Sequence, residues 1–170
     1  MKVHDIPNTV GQSIRALTRL GADFMTLHGT GGRAMMEAAA EAVRDEAEKL
    51  RIERPRLLAV TVLTSIDEDA WKEIGGRDNI ADSVKNLARL AKEAGIDGTV
   101  SSPYEAKEIR SMNGPEFLIV TPGIRPTFAV ANDQKRFTTP SQALRDGASH
   151  LVIGRRLPKR TIRKKQPQRF

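Results

Sequence analysis

The feature that most constrains the fold is a regular alternation of short apolar segments with longer helical patterns. The short segments are rich in β-branched residues and lie at 22–28, 57–63, 96–101, 117–121 and 150–154, and residues 1–3 are the end of a further strand. Helical spacing or helix-starting residues mark 8–20, 33–50, 80–94, 103–112 and Thr139-Pro140. Apolar strands that are each followed by a helix predict a parallel sheet covered by helices.

Two α/β architectures share this pattern: an open doubly wound sheet and a TIM (β/α)8 barrel. No G-x-G-x-x-G segment follows the first strand, which argues against a dinucleotide-binding fold. A complete barrel takes roughly 200 residues or more, and this chain has 170. The sequence therefore predicts an incomplete TIM (β/α)8 barrel over residues 1–155, with about six of the eight strands that the complete fold requires.

The basic charge is concentrated at one end of the chain. The net charge is +7, but eight of the 28 basic residues and none of the 21 acidic residues lie in 155–170. Residues 1–154 are therefore close to neutral, which argues against a nucleic-acid-binding face there. We expect residues 156–170 to form a basic, disordered tail, the one segment that could contact nucleic acid.

The remaining composition limits the class of site. The chain has no cysteine, so disulfides and thiolate chemistry are excluded. No apolar run approaches the ~20 residues of a membrane helix, and the first residues do not resemble a signal peptide. We therefore expect a cytoplasmic protein without membrane contact. The spacing of His4, His28 and His150 offers no metal cluster, so we expect no metal site.

Function in β/α barrels collects where the carboxyl ends of the strands meet, so residues at those positions are the candidates. Arg125 follows a Pro-Gly turn, and Arg155 follows Gly154 at the last strand end. Glycine allows close approach of backbone N–H groups, and guanidinium matches phosphate oxygens, so together they indicate a phosphate site. Lys2, with Asp5 nearby, could act as a general acid. Ser101 and Ser102 have no nearby histidine base, which argues against a serine nucleophile.

Several segments resemble one family in order along the chain. Residues 2–9 (KVHDIPNT) resemble the Asp-x-Lys-x-His-Asp-Ile-Pro-Asn-Thr signature of orotidine 5'-phosphate decarboxylases of the bacterial type. Further resemblances lie at 27–28 with 31–32, 59–65 (AVTVLTS), 120–126 (VTPGIRP), 133–136 (DQKR), 139–140 and 152–155 (VIGR). The resemblance spans residues 2–155 and implies decarboxylation of orotidine 5'-phosphate to uridine 5'-phosphate in pyrimidine biosynthesis, without a cofactor.

The resemblance also implies a role for individual residues. Lys2 corresponds to the lysine that protonates carbon 6 of the pyrimidine as carbon dioxide leaves, and Asp5 to the aspartate that enters the partner's active site in a homodimer. The other implied substrate contacts are Thr9, Thr64 and Ser102, together with a phosphate-binding set of Arg125, Gln134, Gly154 and Arg155. Residues 125–138 correspond to a loop that closes over the substrate.

Two departures from the family pattern accompany the resemblance. The aspartate two residues before the catalytic lysine and the first two strands have no counterpart in residues 1–170, and residues 156–170 have no apolar helical face where the family has a closing helix. We expect a frameshift or a truncated gene to explain both, with a genuine basic tail that contacts RNA or anionic surfaces as the alternative. An open barrel leaves sheet edges unpaired, so we expect the chain alone to be poorly soluble and inactive.

Two other functions remain open at the level of sequence. A related sugar-phosphate lyase of the same superfamily can share the Asp-x-Lys-x-x-Asp pattern, but it usually needs a metal and does not explain the Pro-Asn-Thr and Gly-Ile-Arg-Pro segments. A degenerate barrel could instead bind a phosphate ligand, or nucleic acid through its tail, without catalysis. Steep salt dependence of RNA binding centred on the tail would favour the degenerate barrel.

Overall fold

The computed structural model describes residues 2–124 and 138–153. Strands and helices alternate along the chain, with a 3-10 turn after β2 (Gly29–Gly31) and another after β4 (Pro103–Glu105). The order is β1 (Lys2–Val3), α1 (Pro7–Arg19), β2 (Phe24–His28), α2 (Arg33–Leu50), β3 (Arg56–Val60), α3 (Glu68–Glu73), α4 (Ile80–Glu93), β4 (Gly98–Val100), α5 (Ala106–Asn113), β5 (Leu118–Thr121), α6 (Pro140–Arg145) and β6 (His150–Leu151).

The six strands form one parallel sheet in the order in which they occur along the chain. Each helix therefore returns the chain to the next position in the sheet, as in a β/α barrel. Among the described residues β1 and β6 do not pair with each other, so the sheet is an open arc. The prediction of an incomplete barrel with six strands is confirmed. The predicted tail at 156–170 lies outside the described residues.

One face of the sheet packs against the helices and forms the main core. Val3, Leu27, Ala59, Thr99 and Ile119 form one paired row, and its four apolar members belong to one buried cluster with helix residues. The helices contribute these positions at helical spacing: Val10 and Ile14 from α1, Met35, Met36, Ala39 and Val43 from α2, Val84, Ala88 and Ala91 from α4, and Ile109 from α5.

Because side chains alternate along a strand, the neighbours of these core residues lie on the opposite, inner face. Lys2, Thr26, Leu58 and Gly98 form one paired row on this face. A Cβ at Gly98 would lie 2.2 Å from the backbone oxygen of Leu118, so only glycine permits the observed approach of β4 to β5. The inner face therefore combines apolar residues with a lysine at its β1 edge.

The sheet curves strongly toward its inner face. The rings of Phe24 on β2 and His150 on β6 meet edge to face, with centroids 5.4 Å apart. Three strands separate β2 from β6 in the sheet order, and neighbouring strands lie about 4.8 Å apart. A flat sheet would keep these rings far apart, so the contact shows that the arc encloses a concave interior.

Several element boundaries differ from the predicted ones, and three of the differences have a clear local cause. The third strand, predicted at 57–63, ends at Val60 because the chain turns away from the sheet around Thr64. The helix predicted at 103–112 begins as a 3-10 turn and continues as α5. Helix α3 is not predicted by apolar spacing, since none of its residues is buried, and it is instead started by the Asp67 cap, whose side chain accepts from the Ala70 N–H at 3.0 Å.

Candidate active site

All six strands run in the same direction, so their carboxyl ends form one edge of the sheet, which we call the mouth. Two short structures lie there: the 3-10 turn after β2 and the loop of three residues between β1 and α1. The residues that follow the strand ends at the mouth are His4 and Asp5, Gly29, Thr61, Ser101 and Ser102, Pro122 and Gly123, and Val152 and Ile153.

Lys2 lies on β1 at the inner face, beside Thr26 of β2. Its strand neighbour Val3 is buried in the helix-facing core, and this alternation directs Lys2 to the concave side. The side chain is exposed. Among the described residues no ion pair involves Lys2 or Asp5. The ammonium is therefore available to a ligand in the interior.

Two histidines stack immediately beyond the ends of β1 and β2. The ring centroids of His4 and His28 are 5.2 Å apart, and the ring planes are inclined by 27°. Burial lowers the pKa of His28 below its ordinary value of 6.5, and the positive charges of His4 and Lys2 lower it further. His28 is therefore predominantly neutral at pH 7, and Lys2 is one of the charges that favour its neutral form.

Asp5 and Thr9 lie at the junction between the β1–α1 loop and helix α1. The Asp5 carboxylate accepts a hydrogen bond from the Ile6 N–H at 2.7 Å, which fixes its orientation locally. Pro7 occupies the first turn of α1, and Thr9 follows it on an exposed face of the helix. Ile6 is 66% exposed. Asp5 and Thr9 are therefore both exposed on the outside of the described structure.

Hydroxyl groups line the mouth at β3 and β4. Thr61 and Ser101 are both buried, and their hydroxyl oxygens are 3.3 Å apart. Ser102 is 3% exposed and caps the following 3-10 turn, accepting from the Tyr104 N–H while its own N–H donates to Glu105 at 2.8 Å. A hydroxyl that accepts one bond still has its O–H to donate, so Ser102 can contact a ligand.

The remaining predicted site residues divide into two groups. Thr64 is exposed in the turn that follows β3. Arg125, Gln134, Gly154 and Arg155, the predicted phosphate-binding set, lie outside the described residues. The segment that contains Arg125 and Gln134 is bounded by described residues that pair with each other, because Ile124 and Thr138 form a parallel bridge. Ile124 and Thr138 therefore lie side by side at the mouth.

The sequence predicts roles for Lys2 and Asp5 but does not indicate the histidine stack. The sequence spacing of His4 and His28 argues against a metal cluster and says nothing about a contact between the two rings. The available signal is register: Val3 pairs with Leu27, so the next residues of the two parallel strands, His4 and His28, fall side by side. Within residues 2–124 and 138–153, no group of three or more His, Cys, Asp or Glu side chains could hold a metal.

Comparison with known proteins gives a consistent result. The family model described as "Orotidine 5'-phosphate decarboxylase / HUMPS family" matches residues 1–165. A protein of Moorella thermoacetica named orotidine 5'-phosphate decarboxylase is 53% identical over 156 residues, which are 91% of this chain and 62% of the relative. One of Trichlorobacter lovleyi with the same name is 53% identical over 159 residues, 94% of this chain and 65% of the relative.

The fold agrees with a solved structure. The crystal structure of orotidine 5'-phosphate decarboxylase from Lactobacillus acidophilus superposes with a TM-score of 0.77 at 40% identity, covering 89% of this chain and 63% of that one. The chain thus spans less than two thirds of the length of each of these three proteins. Because the family match covers nearly all of the chain, the protein belongs to the orotidine 5'-phosphate decarboxylase / HUMPS family.

Proposed function

We propose that this protein provides the catalytic lysine and the substrate-binding mouth for decarboxylation of orotidine 5'-phosphate to uridine 5'-phosphate in pyrimidine biosynthesis. The observation that carries the proposal is the position of Lys2, on the inner face of β1 and free of any ion pair in the described residues. The family match and the relatives named as decarboxylases support the choice of reaction.

The reaction breaks the bond between carbon 6 of the pyrimidine and its carboxylate, and the bonding electrons remain on carbon 6 as carbon dioxide leaves. A fixed positive charge at carbon 6 stabilises this carbanion more than the substrate, which lowers the barrier. We assign that charge to the Lys2 ammonium, which then donates a proton to carbon 6. His28, being predominantly neutral at pH 7, leaves Lys2 as the stronger positive charge in the cluster.

Substrate binding is assigned to residues around the mouth. Ser102 would hydrogen-bond the pyrimidine, and its buried position at the end of β4 supports this role. Binding energy from a phosphate remote from carbon 6 can order the site and raise the rate. The other proposed contacts are Thr9 and Thr64 for the nucleotide, and Arg125, Gln134, Gly154 and Arg155 for its phosphate.

We also propose a homodimer in which Asp5 enters the active site of the partner subunit. Asp5 is exposed, makes no ion pair among the described residues, and adjoins an isoleucine that is 66% exposed. Burial of that apolar side chain in a dimer would favour association. No metal or organic cofactor is needed for this chemistry.

The described helices include none that is both long and apolar enough to cross a membrane. We propose a cytoplasmic location on the basis of the cysteine-free sequence.

The decisive experiment measures conversion of orotidine 5'-phosphate to uridine 5'-phosphate by two proteins. One is the 170-residue chain, and the other is a chimera that joins it to the part of the Moorella thermoacetica relative that it does not match. We expect product from the chimera, since its added strands can pair with the free sheet edges, and little or none from the chain alone. A folded chimera that binds uridine 5'-phosphate but releases no carbon dioxide would contradict catalysis and support a phosphate-binding barrel.

A further inference from the structure

The segment that carries Lys2 and Asp5 is held by few backbone interactions. Strand β1 has two residues and, among the described strands, pairs only with β2, its last pair joining Val3 to Leu27. The helix that follows begins at Pro7, and its N-cap residue Ile6 makes no side-chain capping bond. Residues 4–6 therefore need another contact to fix where Lys2 and Asp5 lie relative to the mouth.

The His4–His28 stack supplies that contact. It lies one residue beyond the last backbone pair on each strand, with ring centroids 5.2 Å apart. The His4 ring also lies close to the 3-10 turn after β2, since a Cβ built on Gly31 would be 3.2 Å from His4 Cδ2. The ring of His4 therefore lies between the ring of His28 and the turn that contains Gly31.

We propose that the His4–His28 stack is a positioning device that holds residues 2–5 at the mouth and works only while the two rings are not both protonated. This rests on the proposed function, since it assigns the stack to placing Lys2 and Asp5. The two histidines need not touch the substrate. They act through the lysine that precedes His4 by two positions and the aspartate that follows it.

The charges around the stack explain its sensitivity to protonation. Lys2, His4 and Asp5 share one short segment, the Gly29–Gly31 turn has no titratable group, and Arg56 of the adjacent β3 lies opposite Phe24, at the other end of the strand. The first residue of α2, Arg33, is paired with Glu37 and Glu93. Protonation of both rings would place two cations 5.2 Å apart near the strand that carries Lys2, and within the described segment that holds Lys2 and His4 only Asp5 has the opposite charge.

The test compares His4→Phe with His4→Gln in the 170-residue chain. Phenylalanine preserves a stacked ring that cannot be protonated, whereas glutamine removes the ring. His150→Gln is the matched control, because His150 is the third histidine and contacts Phe24 instead. Imidazole and Lys2 side-chain signals are followed by NMR as the pH is lowered from about 8 to about 5, the range around the ordinary histidine pKa. Affinity for uridine 5'-phosphate is measured in parallel.

We expect His4→Gln to weaken binding of uridine 5'-phosphate by about tenfold, the upper range for the loss of one ring pair. It should also shift the Lys2 signals and raise the pKa of His28. At pH 7, His4→Phe should have Lys2 signals and an affinity close to those of wild type. As the pH is lowered, the affinity of His4→Phe should fall less steeply than that of wild type. Because the ligand phosphate also titrates near pH 6, wild type is always compared with His4→Phe.

Unchanged Lys2 signals and an unchanged His28 titration in folded His4→Gln would overturn the proposal. If His4→Gln unfolds, His4→Phe decides: a loss of affinity as steep as that of wild type at acid pH excludes protonation of the stack. If the 170-residue chain binds no uridine 5'-phosphate, affinity is measured with the same substitutions in the chimera. Absence of binding by the parent chimera would contradict the proposed function, whereas the histidine and lysine signals still report whether the stack positions Lys2.

Discussion

The two ends of the sheet are both rich in charge but organise it differently. At the amino ends of the strands, Asp97 is 10% exposed and receives hydrogen bonds from Arg54, Arg56 and the Leu57 N–H. At the mouth, Lys2 and Asp5 are exposed and make no ion pair among the described residues. Charge is compensated at one end and left available at the other.

This difference separates stability from function within one sheet. Burial alone would raise the pKa of Asp97, but the hydrogen bonds from Arg54, Leu57 and Arg56 outweigh it and leave the pKa below the ordinary value of 3.8. A carboxylate held in this way stabilises the fold. Uncompensated charge at the mouth contributes little to folding and can instead interact with a substrate. Mutations at the mouth should therefore lower the rate of catalysis, whereas mutations at the amino end should lower the free energy of unfolding.

The largest expected effect is at the mouth. Lys2→Ala in the active chimera should lower kcat by about 1,000-fold, the range for losing a positioned proton donor, because the charge that stabilises the carbanion is removed. The urea midpoint of unfolding should stay close to that of the parent. Lys72→Ala, at an exposed position in α3, is the matched control. A large fall in stability without a loss of kcat would break the contrast between the two ends.

The largest stability effect is expected at the amino end. The Arg110 guanidinium of α5 donates to the backbone oxygens of Gly114, Pro115, Phe117 and Gly147, and so joins the segments that enter β5 and β6. Arg110→Met leaves these acceptors without their donor and should cost about 3 kcal/mol of unfolding free energy. Urea denaturation measures this cost, and Arg89→Met, at an exposed position of α4, is the control. An equal effect of the two substitutions would show that the bonds contribute nothing.

A smaller loss is expected at Asp97. Asp97→Asn should lower the free energy of unfolding by about 2 kcal/mol at pH 7, because the hydrogen bonds to Arg54, Arg56 and Leu57 lose their charged acceptor. The carboxylate has a lowered pKa in the fold, so its contribution is complete above 3.8 and disappears as the pH falls through the folded value. The difference between wild type and variant should therefore shrink below pH 4 in chemical denaturation. A constant difference would exclude this linkage.

The smallest effect, of opposite sign, lies between the two ends. Among the described residues the Thr99 hydroxyl in the middle of β4 is buried and has no hydrogen-bond partner. Thr99→Val replaces it with a methyl group of similar size and should raise the free energy of unfolding by about 1 kcal/mol, since a buried polar group without a partner is costly. The change in unfolding free energy is compared with that of Thr26→Val, the same substitution at a threonine on the inner face. Destabilisation by Thr99→Val would mean that the hydroxyl is satisfied in solution.

Much of the architecture could be predicted because each element carries its own local signal. Helix α2 was predicted at 33–50 and is observed at Arg33–Leu50, since its alanines, glutamates and methionines favour a helix throughout. Helix α3 could not be predicted from apolar spacing, because none of its residues is buried. The predicted end of β3 is wrong because Val62 and Leu63 continue the apolar pattern past the strand. In the structure β3 ends at Val60, and Thr61 hydrogen-bonds to the backbone oxygen of Val100 just beyond the strand end.

The site could be predicted only residue by residue. Lys2 and Asp5 are recognisable from their motif, and their assigned roles remain predictions. The pairs His4–His28 and Thr61–Ser101 join residues 24 and 40 positions apart, and neither is evident from local pattern. Each depends on the register of neighbouring parallel strands. A shift of one residue would move every side chain of a strand to the other face and remove the pair.

The sequence by itself determined that this protein alternates strands and helices, has a near-neutral body, and carries a lysine and an aspartate three residues apart at a strand end. These properties follow from local propensity, charge and motif. The tertiary structure decided that Lys2 faces a concave interior and that a histidine stack lies just beyond the end of its strand. Among the described residues, it also decided that charge is paired at one end of the sheet, while Lys2 and Asp5 at the other end make no ion pair. Such outcomes depend on register and curvature, which arise only when distant segments pack together.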